Sequence, residues 1–253
     1  MRVAVLAGGQ GTRLAEETRV KSKAMVRIGD QPILWHLLKY YEHYGYDRFV
    51  IALGYHAESI REYFSSLGTR AAPASEGACT TLYPAAEPGW TVELVDTGLE
   101  TMSGGRIKRL APYLEGAPFM LTWCDGLADV DLRALRAFHE RHGRLATLSA
   151  VRPPARFGRL SLEDDRVTAF REKEIDPHEW INGAFFVLSP GVFRYIAGDE
   201  TQFEREPLNR LAAAGELMAR RHEGFWQCMD TLKEAQDLNR LWHEGRAPWR
   251  VWA

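Results

Sequence analysis

The chain has 253 residues, 45% of them hydrophobic and 26% charged, and its formal net charge at pH 7 is −2. This composition is ordinary for a globular protein and implies no strongly basic face, so we expect no nucleic acid partner. The sequence shows no signal peptide, no apolar run near the roughly 18 residues that span a membrane, and three cysteines without framework spacing, so we expect a cytoplasmic protein without membrane contact.

Short apolar runs alternate with helical patterns along the first 150 residues. Val3–Leu6 predicts a buried strand, and Asp30, as an N-cap, precedes apolar residues at helical spacing from Ile33 to Tyr41. Further strands are predicted at Phe49–Leu53, Thr91–Val95, Phe119–Trp123 and Leu145–Val151. Further helices are predicted at Ala57–Phe64, Arg106–Leu114 and Leu132–His142. This alternation predicts an α/β fold with a mainly parallel sheet.

The pattern changes after Pro153 and Pro154 to shorter strands with polar edges. Strands are predicted at Arg159–Leu162, Val167–Glu172 and Trp180–Leu188, and helices at Glu204–Ala214 and Leu232–Glu244. Because no linker or internal repeat is visible, we predict one domain over residues 1–253, with 152–253 as an elaboration of the same sheet ending in a helix. Residues 65–90 are rich in Ala, Gly, Pro and Thr and are predicted to form an irregular excursion or lid.

The glycine-rich segment LAGGQGTRL follows the first predicted strand. Glycines in this place let backbone N–H groups approach a phosphate closely. A dinucleotide loop is disfavoured because Leu14 stands where the third glycine of G-x-G-x-x-G belongs, and the chain contains no P-loop motif. Arg13 is a fixed cation suited to phosphate oxygens, and Lys23 lies ten residues further along the chain. The alternative is a tight turn with a surface arginine.

Two aspartates follow apolar segments. Asp125 comes after the predicted strand Phe119–Trp123, at a strand end where α/β folds bind ligands. Asp230 stands between an aromatic, strand-like segment and the helix that begins near Leu232. Together they would supply two carboxylates for Mg²⁺, which takes one or two of them with water and substrate phosphates. The alternatives are a turn residue for Asp125 and a helix N-cap for Asp230, shared with Thr231.

A zinc site is disfavoured, although Cys124 and Cys228 adjoin the two aspartates. No C-x₂-C pair and no suitably spaced histidine accompanies these cysteines. His139 and His142 are instead predicted to lie at a helix end and to interact with its dipole.

The segment LAGGQGTRLAEETRVKSKAMV resembles the signature of the sugar-1-phosphate nucleotidylyltransferases. More narrowly, the chain resembles the cytidylyl subgroup of that family, in blocks that cover nearly its whole length in order. These blocks are IGDQPILWHLLKYY, VDTGLETMSGGRIKRL, PPARFGRL, INGAFFVL, EREPLNRLAAAGELMARRHEGFWQCMDT and GRAPW. The resemblance implies a single Rossmann-like α/β domain with a mixed, mostly parallel sheet flanked by helices. It also implies that CTP and a sugar 1-phosphate, with Mg²⁺ as cofactor, give a CDP-sugar and pyrophosphate, with glucose 1-phosphate as the expected acceptor.

The resemblance assigns residues to each part of this reaction. It implies that the nucleotide contacts Leu6, Ala7, Gly8, Gly9, Gln10, Gly11, Thr12, Arg13, Lys23, Thr101, Arg106 and Cys124. It implies catalytic roles for Arg13, Lys23 and Lys173, and metal binding by Asp125 and Asp230. The sugar and its phosphate would contact Glu172, Lys173, Asn182 and Gly183.

The chain departs from the family pattern at three places. Ser22 and Ala24 replace the prolines of the family's K-P-K-P-M, so the backbone that aims Lys23 is expected to be looser. Cys124 replaces a glycine beside the nucleotide, and residues 174–180 differ from the family's glycine-rich loop. Another phosphorylated acceptor or another pyrimidine nucleotide therefore stays open. A catalytically silent subunit of this fold and a dinucleotide-dependent oxidoreductase are less favoured alternatives.

We expect a homo-oligomer, because exposed apolar and aromatic groups often form interfaces. The candidate interface comprises Ser65–Gly89 and the tail residues Trp242, Trp249 and Trp252. The alternative is that these tryptophans pack within the chain.

Overall fold

A computed structural model describes residues 1–9, 11, 14, 18, 20–71, 79–114, 116–153, 159–171 and 179–252. Its strands are β1 (Arg2–Leu6), β2 (Arg27–Ile28), β3 (Gln31–Pro32), β4 (Arg48–Leu53), β5 (Arg70–Ala71), β6 (Cys79–Tyr83), β7 (Thr91–Asp96), β8 (Phe119–Trp123), β9 (Gly126–Ala128), β10 (Ala146–Val151), β11 (Arg159–Glu163), β12 (Arg166–Arg171), β13 (Ile181–Leu188), β14 (Leu217–His222) and β15 (Trp226–Cys228). Its helices are α1 (Ile33–His43), α2 (Ala57–Ser66), α3 (Ser103–Arg109), α4 (Ala111–Leu114), α5 (Leu132–His142), α6 (Glu206–Ala213) and α7 (Leu232–His243), with 3₁₀ turns at Lys23–Met25 and Pro190–Tyr195.

A nine-stranded sheet organises the described residues, in the order β14-β10-β13-β8-β1-β4-β7-β6-β5. β1 pairs in parallel with β4 and β8, and β4 pairs in parallel with β7. β13 runs antiparallel to both of its neighbours, and so does β6. The prediction of an α/β fold with a mixed, mostly parallel sheet is therefore confirmed.

Side chains alternate between the two faces of the sheet, as the period of a strand requires. Val3 and Val5 of β1 belong to a core cluster with residues of α1, α2, α5 and α7. Ala4 and Leu6 belong to a second cluster with residues of α3, α4 and α6. The strands thus form the middle of three layers, and the carboxyl ends of the parallel strands β8, β1, β4 and β7 lie at one edge of the sheet.

Four segments differ from the sequence-based expectation. The prediction of an irregular segment over 65–90 is wrong for β5 and β6, which extend the sheet beyond β7, whereas residues 84–90 contain no helix or strand. The sequence does not predict β14, because this edge strand is only half-buried and has a polar pattern. The helix predicted over Arg106–Leu114 begins earlier and divides into α3 and α4. Asp30 is not the N-cap of α1; Pro32 holds that position, without a side-chain cap.

The aromatic tail packs within the chain. Trp249 is fully buried, and the rings of Trp242, Trp249 and Trp252 lie 4.5, 6.2 and 6.3 Å from the ring of His36 in α1. The alternative interpretation, that these tryptophans pack within the chain, is therefore confirmed, and the predicted subunit interface stays a prediction. Among the described residues, no helix is long and apolar enough to cross a membrane.

His139 and His142 do not act as charges on the dipole of α5. His139 is buried and hydrogen-bonds through its two ring nitrogens to the hydroxyls of Thr147 and Ser189. Burial and the neighbouring His142 lower the pKa of His139 to about 4, so its ring is neutral at pH 7. The burial of His142 likewise lowers its pKa.

Candidate active site

A pocket of about 440 Å³ opens at the carboxyl ends of β1 and β8, within the size range of small-molecule sites. Its lining residues are Leu6, Ala7, Gly8, Gly9, Gly11, Lys23, Leu99, Glu100, Thr101, Met102, Ser103, Arg106, Trp123, Cys124, Asp125 and Asp230. The pocket therefore brings together every predicted nucleotide and metal residue that the structure describes. Gln10, Thr12, Arg13, Glu172 and Lys173 lie outside the described residues, and their roles stay predictions.

Lys23 connects the two aspartates. Its Nζ lies 2.7 Å from Asp125 Oδ2 and 2.6 Å from Asp230 Oδ1. Burial alone would lower the pKa of Lys23, but the charges and hydrogen bonds of the two carboxylates outweigh it and raise the pKa. Lys23 is therefore an ammonium ion at neutral pH, and it already neutralises part of the carboxylate charge.

Asp230 is available for this contact because its neighbours cap α7. Thr231 is the N-cap: its hydroxyl accepts from the Glu234 N–H, and the Glu234 side chain accepts from the Thr231 N–H, which completes a capping box. Glu234 also accepts from the Asp230 N–H at 2.7 Å. The N-cap alternative for Asp230 is therefore wrong, and its own carboxylate faces Lys23.

The two aspartates have the chemistry of a magnesium site. Both carboxylates accept from the Lys23 ammonium ion, so they lie close together. Mg²⁺ takes one or two protein carboxylates, while substrate phosphates and water complete its shell. In the part of the chain that the structure describes, no group of three or more His, Cys, Asp or Glu side chains is arranged to hold a metal. Burial, with the nearby charge of Asp125, raises the pKa of Cys124 to about 12, so its thiol stays protonated and is a poor ligand for zinc.

Arg106 lines the pocket but uses its guanidinium within the protein. Nη1 donates to Leu53 O at 3.0 Å, Thr97 Oγ1 at 2.7 Å and Gly98 O at 2.7 Å. A Cβ atom at Gly8 would lie 2.4 Å from Nη1, so the glycine permits the guanidinium to approach the loop. Arg106 therefore holds the chain at the carboxyl ends of β4 and β7, beside the glycine loop.

A later segment of the chain covers the N-terminus of α3. The N–H of Met102 donates to Asp199 O, and the N–H of Gly104 donates to Thr201 O, each at 2.8 Å. A Cβ at Gly105 would lie 2.5 Å from the Cα of Asp199, so the glycines of SGG allow this close approach. Backbone N–H groups at the start of α3 are thus hydrogen-bonded to carbonyl groups of this later segment.

Asn182 and Gly183 do not line the pocket. The Asn182 side chain accepts from the N–H of Ala184, whose φ is +62°, and so stabilises an irregularity in β13. A Cβ at Gly183 would lie 2.7 Å from Ser149 Oγ, and Gly183 O accepts from the Trp226 indole at 2.8 Å. Both residues shape the strand, and their contact with a sugar stays a prediction.

Trp123 and Ser103 also line the pocket, and the sequence analysis assigns them no role. The sequence does place Trp123 at a strand end, two residues before Asp125, which is a usable signal. Thr101 lines the pocket next to them and is buried. Cys124 lines the pocket too, but its side chain belongs to the hydrophobic core.

The whole chain resembles known enzymes. The model of the nucleotidyl transferase family matches residues 2–233. This chain belongs to the nucleotidyl transferase family. It is 46% identical to the glucose-1-phosphate cytidylyltransferases of Salmonella typhi and Salmonella typhimurium, over all of each chain.

The family fold extends to solved structures of low identity. The inositol-1-phosphate CTP transferase from T. maritima superposes with a TM-score of 0.68, at 17% identity over 99% of this chain and 96% of that one. Membership of the family makes the alternative of a dinucleotide-dependent oxidoreductase wrong.

Proposed function

We propose that this protein catalyses the reaction of CTP with α-D-glucose 1-phosphate to give CDP-glucose and pyrophosphate. The observation that carries the proposal is the convergence of the glycine loop, Lys23, Asp125 and Asp230 in one pocket. The choice of CTP and glucose 1-phosphate is supported by 46% identity, over the whole length, to enzymes named for that reaction.

The chemistry needs alignment and charge neutralisation more than proton transfer. A phosphate oxygen of glucose 1-phosphate attacks the α-phosphorus of CTP in line, and pyrophosphate leaves on the opposite side. The attacking phosphate is already an anion near neutral pH, so no general base is required. The protein must bring two anions together and neutralise the charge of the leaving group.

The glycine loop at Gly8, Gly9 and Gly11 offers backbone N–H groups to the nucleotide. Lys23 lies beside Gly11, since a Cβ at Gly11 would be 3.3 Å from Lys23 Cβ, and its ammonium can serve the triphosphate. In this proposal Arg13 stabilises the leaving pyrophosphate together with Lys23, and Lys173 binds the phosphate of the sugar.

Asp125 and Asp230 are the residues that would hold Mg²⁺ in this proposal. When bound, the ion would supply positive charge that neutralises the substrate phosphates. In the free protein both carboxylates pair with the Lys23 ammonium, so the ion would compete with this ammonium for them.

The test is a coupled assay of pyrophosphate release with Mg²⁺. CTP, UTP, dTTP, ATP and GTP are each combined with glucose 1-phosphate and with a panel of other phosphorylated acceptors. We expect fast release with CTP and glucose 1-phosphate. Release with CTP and only a different acceptor would overturn the choice of glucose 1-phosphate, and release with no pair would favour a catalytically silent subunit.

Matched variants tie the activity to the site. Asp125→Asn and Asp230→Asn should each lower kcat by about 10²–10³, the usual cost of losing one charge stabiliser. Asp237→Asn is the control, because this aspartate pairs with Lys233 and Arg240 on the exposed side of α7. Unchanged turnover in either site variant would exclude its assigned role. A homo-oligomer also stays part of the proposal, to be measured by light scattering.

A further inference from the structure

Ser22 precedes Lys23 and is hydrogen-bonded at every polar group. It is 2% exposed. Its N–H donates to Ser59 Oγ at 3.0 Å, and its hydroxyl donates to Ala7 O at 3.3 Å. The same hydroxyl oxygen accepts from Ala24 N at 3.3 Å, and Ser22 O accepts from Met25 N at 2.8 Å. The looser backbone expected from the sequence is therefore not what the structure shows.

These bonds join three parts of the site. Ala7 begins the glycine loop after β1, and Ala24 lies in the 3₁₀ turn that starts with Lys23. Ser59 lies in the first turn of α2, where its hydroxyl also donates to His56 O at 2.7 Å. The same region contacts the glycine loop again, because the Tyr55 N–H donates to Gly8 O at 3.1 Å. Ser22 therefore links the 3₁₀ turn Lys23–Met25 to the glycine loop and to α2.

The position of this turn decides where the Lys23 ammonium lies. From the turn, the side chain reaches across to carboxylates that come from the end of β8 and the start of α7. A group that must neutralise charge in a transition state loses much of its effect when it is misplaced by about 1 Å. A long flexible side chain therefore benefits from a fixed backbone at its base.

We propose that Ser22, together with Ser59, is a positioning residue that aims Lys23 in the reaction. The inference rests on the proposed function, because the reaction supplies the readout. The backbone φ of Ser22 is −59°, a value at which the hydroxyl can cap the turn while the N–H faces Ser59. Two hydrogen-bonding side chains thus restrain the segment that carries the lysine.

The test is a double-mutant cycle on kcat for pyrophosphate release. Ser22→Ala removes the bonds of the hydroxyl to Ala7 and Ala24, and we expect it to lower kcat about tenfold. In a Lys23→Met background, the same change should lower kcat by less than about twofold, because the residue that it positions is gone. A tenfold loss in both backgrounds would show that Ser22 acts independently of Lys23 and would overturn the proposal, as would full kcat in Ser22→Ala.

Ser59 provides a second variant in case Ser22→Ala does not fold. Ser59→Ala removes the acceptor of the Ser22 N–H and should lower kcat about threefold, again only when Lys23 is present. Ser59→Thr keeps the oxygen and should restore most of the loss. The control is Ser66→Ala on the same helix, whose exposed hydroxyl donates to Tyr63 O. Equal losses in Ser59→Ala and Ser66→Ala would contradict the proposal.

The two proposals fail in different ways. If the wild-type protein releases no pyrophosphate from CTP and glucose 1-phosphate, the proposed function is wrong, and the cycle is repeated with the pair that is turned over. If the wild-type protein is active and the effects of Ser22 and Lys23 are additive, only the positioning role is wrong.

Discussion

The indole N–H of Trp123 donates to the Glu204 carboxylate at 3.1 Å, and the other oxygen of that carboxylate accepts from the Ser103 hydroxyl at 2.5 Å. Glu204 thereby joins the end of β8 to the first turn of α3, and both of its partners line the pocket. The ring of Trp123 also packs against Phe186, at 5.3 Å between ring centroids.

We expect Glu204→Ala to raise the KM of at least one substrate about fivefold with a smaller change in kcat, because the pocket wall loses a shared acceptor. Glu204→Gln should be intermediate, since an amide oxygen accepts from one partner while its NH₂ group cannot accept from the other. Glu200→Ala, an exposed residue of the same segment, is the control. An unchanged KM for both substrates in Glu204→Ala would contradict this role.

Gly8→Ala tests the contact between the glycine loop and Arg106. The added Cβ would lie 2.4 Å from Arg106 Nη1 and must displace a guanidinium that holds Leu53, Thr97 and Gly98. We expect a loss of about 2 kcal/mol in the free energy of unfolding, measured by urea denaturation. Gly9→Ala is the matched control, because a Cβ atom added there would meet no atom of the described residues within 4 Å, its chain neighbours aside. Equal stability of the two variants would show that the contact is unimportant.

Lys23→Met tests the competition between the ammonium ion and a divalent cation. Lys23 lies between the two carboxylates that would hold the metal, so removing its charge should strengthen the binding of Mn²⁺ to the free protein about tenfold. Mn²⁺ binding is measured by calorimetry without nucleotide, so the result does not depend on turnover. Weaker binding in the variant would mean that Lys23 organises the carboxylates for the metal instead of competing with it.

Two buried histidines should make stability depend on pH. Burial, with the charge of Arg250, lowers the pKa of His36 to about 4, and His139 has a similar value. Between an unfolded-state pKa of about 6.5 and about 4, the unfolded chain binds more protons than the folded one, so acid favours unfolding. As the pH falls through this window, each histidine should lower the free energy of unfolding by up to roughly 3 kcal/mol. Below about pH 4, the histidines should cause no further loss.

The measurement is urea denaturation at pH 7 and pH 5. His36→Gln and His139→Gln should each reduce the difference in the free energy of unfolding between pH 7 and pH 5, even where the substitution lowers this free energy at both pH values. His243→Gln, on a residue at the end of α7 that the core does not enclose, should leave the difference unchanged. A difference that persists at full size in both buried variants would assign the acid sensitivity to other groups.

Local signals explain which elements could be predicted. α5 begins and ends where the sequence indicates, because Asp131 caps its start and Gly143 adopts a φ of +64° at its end. β1 and β8 are short apolar runs buried on both faces, a pattern that indicates central strands. These features depend on residues next to one another in the chain.

Features that depend on distant residues could not be predicted in the same way. The glycines of SGG in α3 admit a segment that lies about 95 residues later, and no pattern within the local sequence indicates that contact. The contact between Lys23 and Asp230 joins residues 207 positions apart, and only the family resemblance placed both in one site. Two of the hydrogen bonds of Ser22 involve Ala7 and Ser59, which lie far from it in the chain, so its local sequence does not indicate them.

The separation of Lys23, Asp125 and Asp230 along the chain has a consequence for biosynthesis. Ribosomes deliver the chain from its N-terminus, so the glycine loop and Asp125 emerge well before the second carboxylate. A nascent chain that stops short of Asp230 lacks one of the two carboxylates that pair with Lys23 and also lacks the tail tryptophans that pack around His36. If Asp230 has the role proposed above, a nascent chain acquires catalytic competence only after this residue has been synthesised and has reached Lys23.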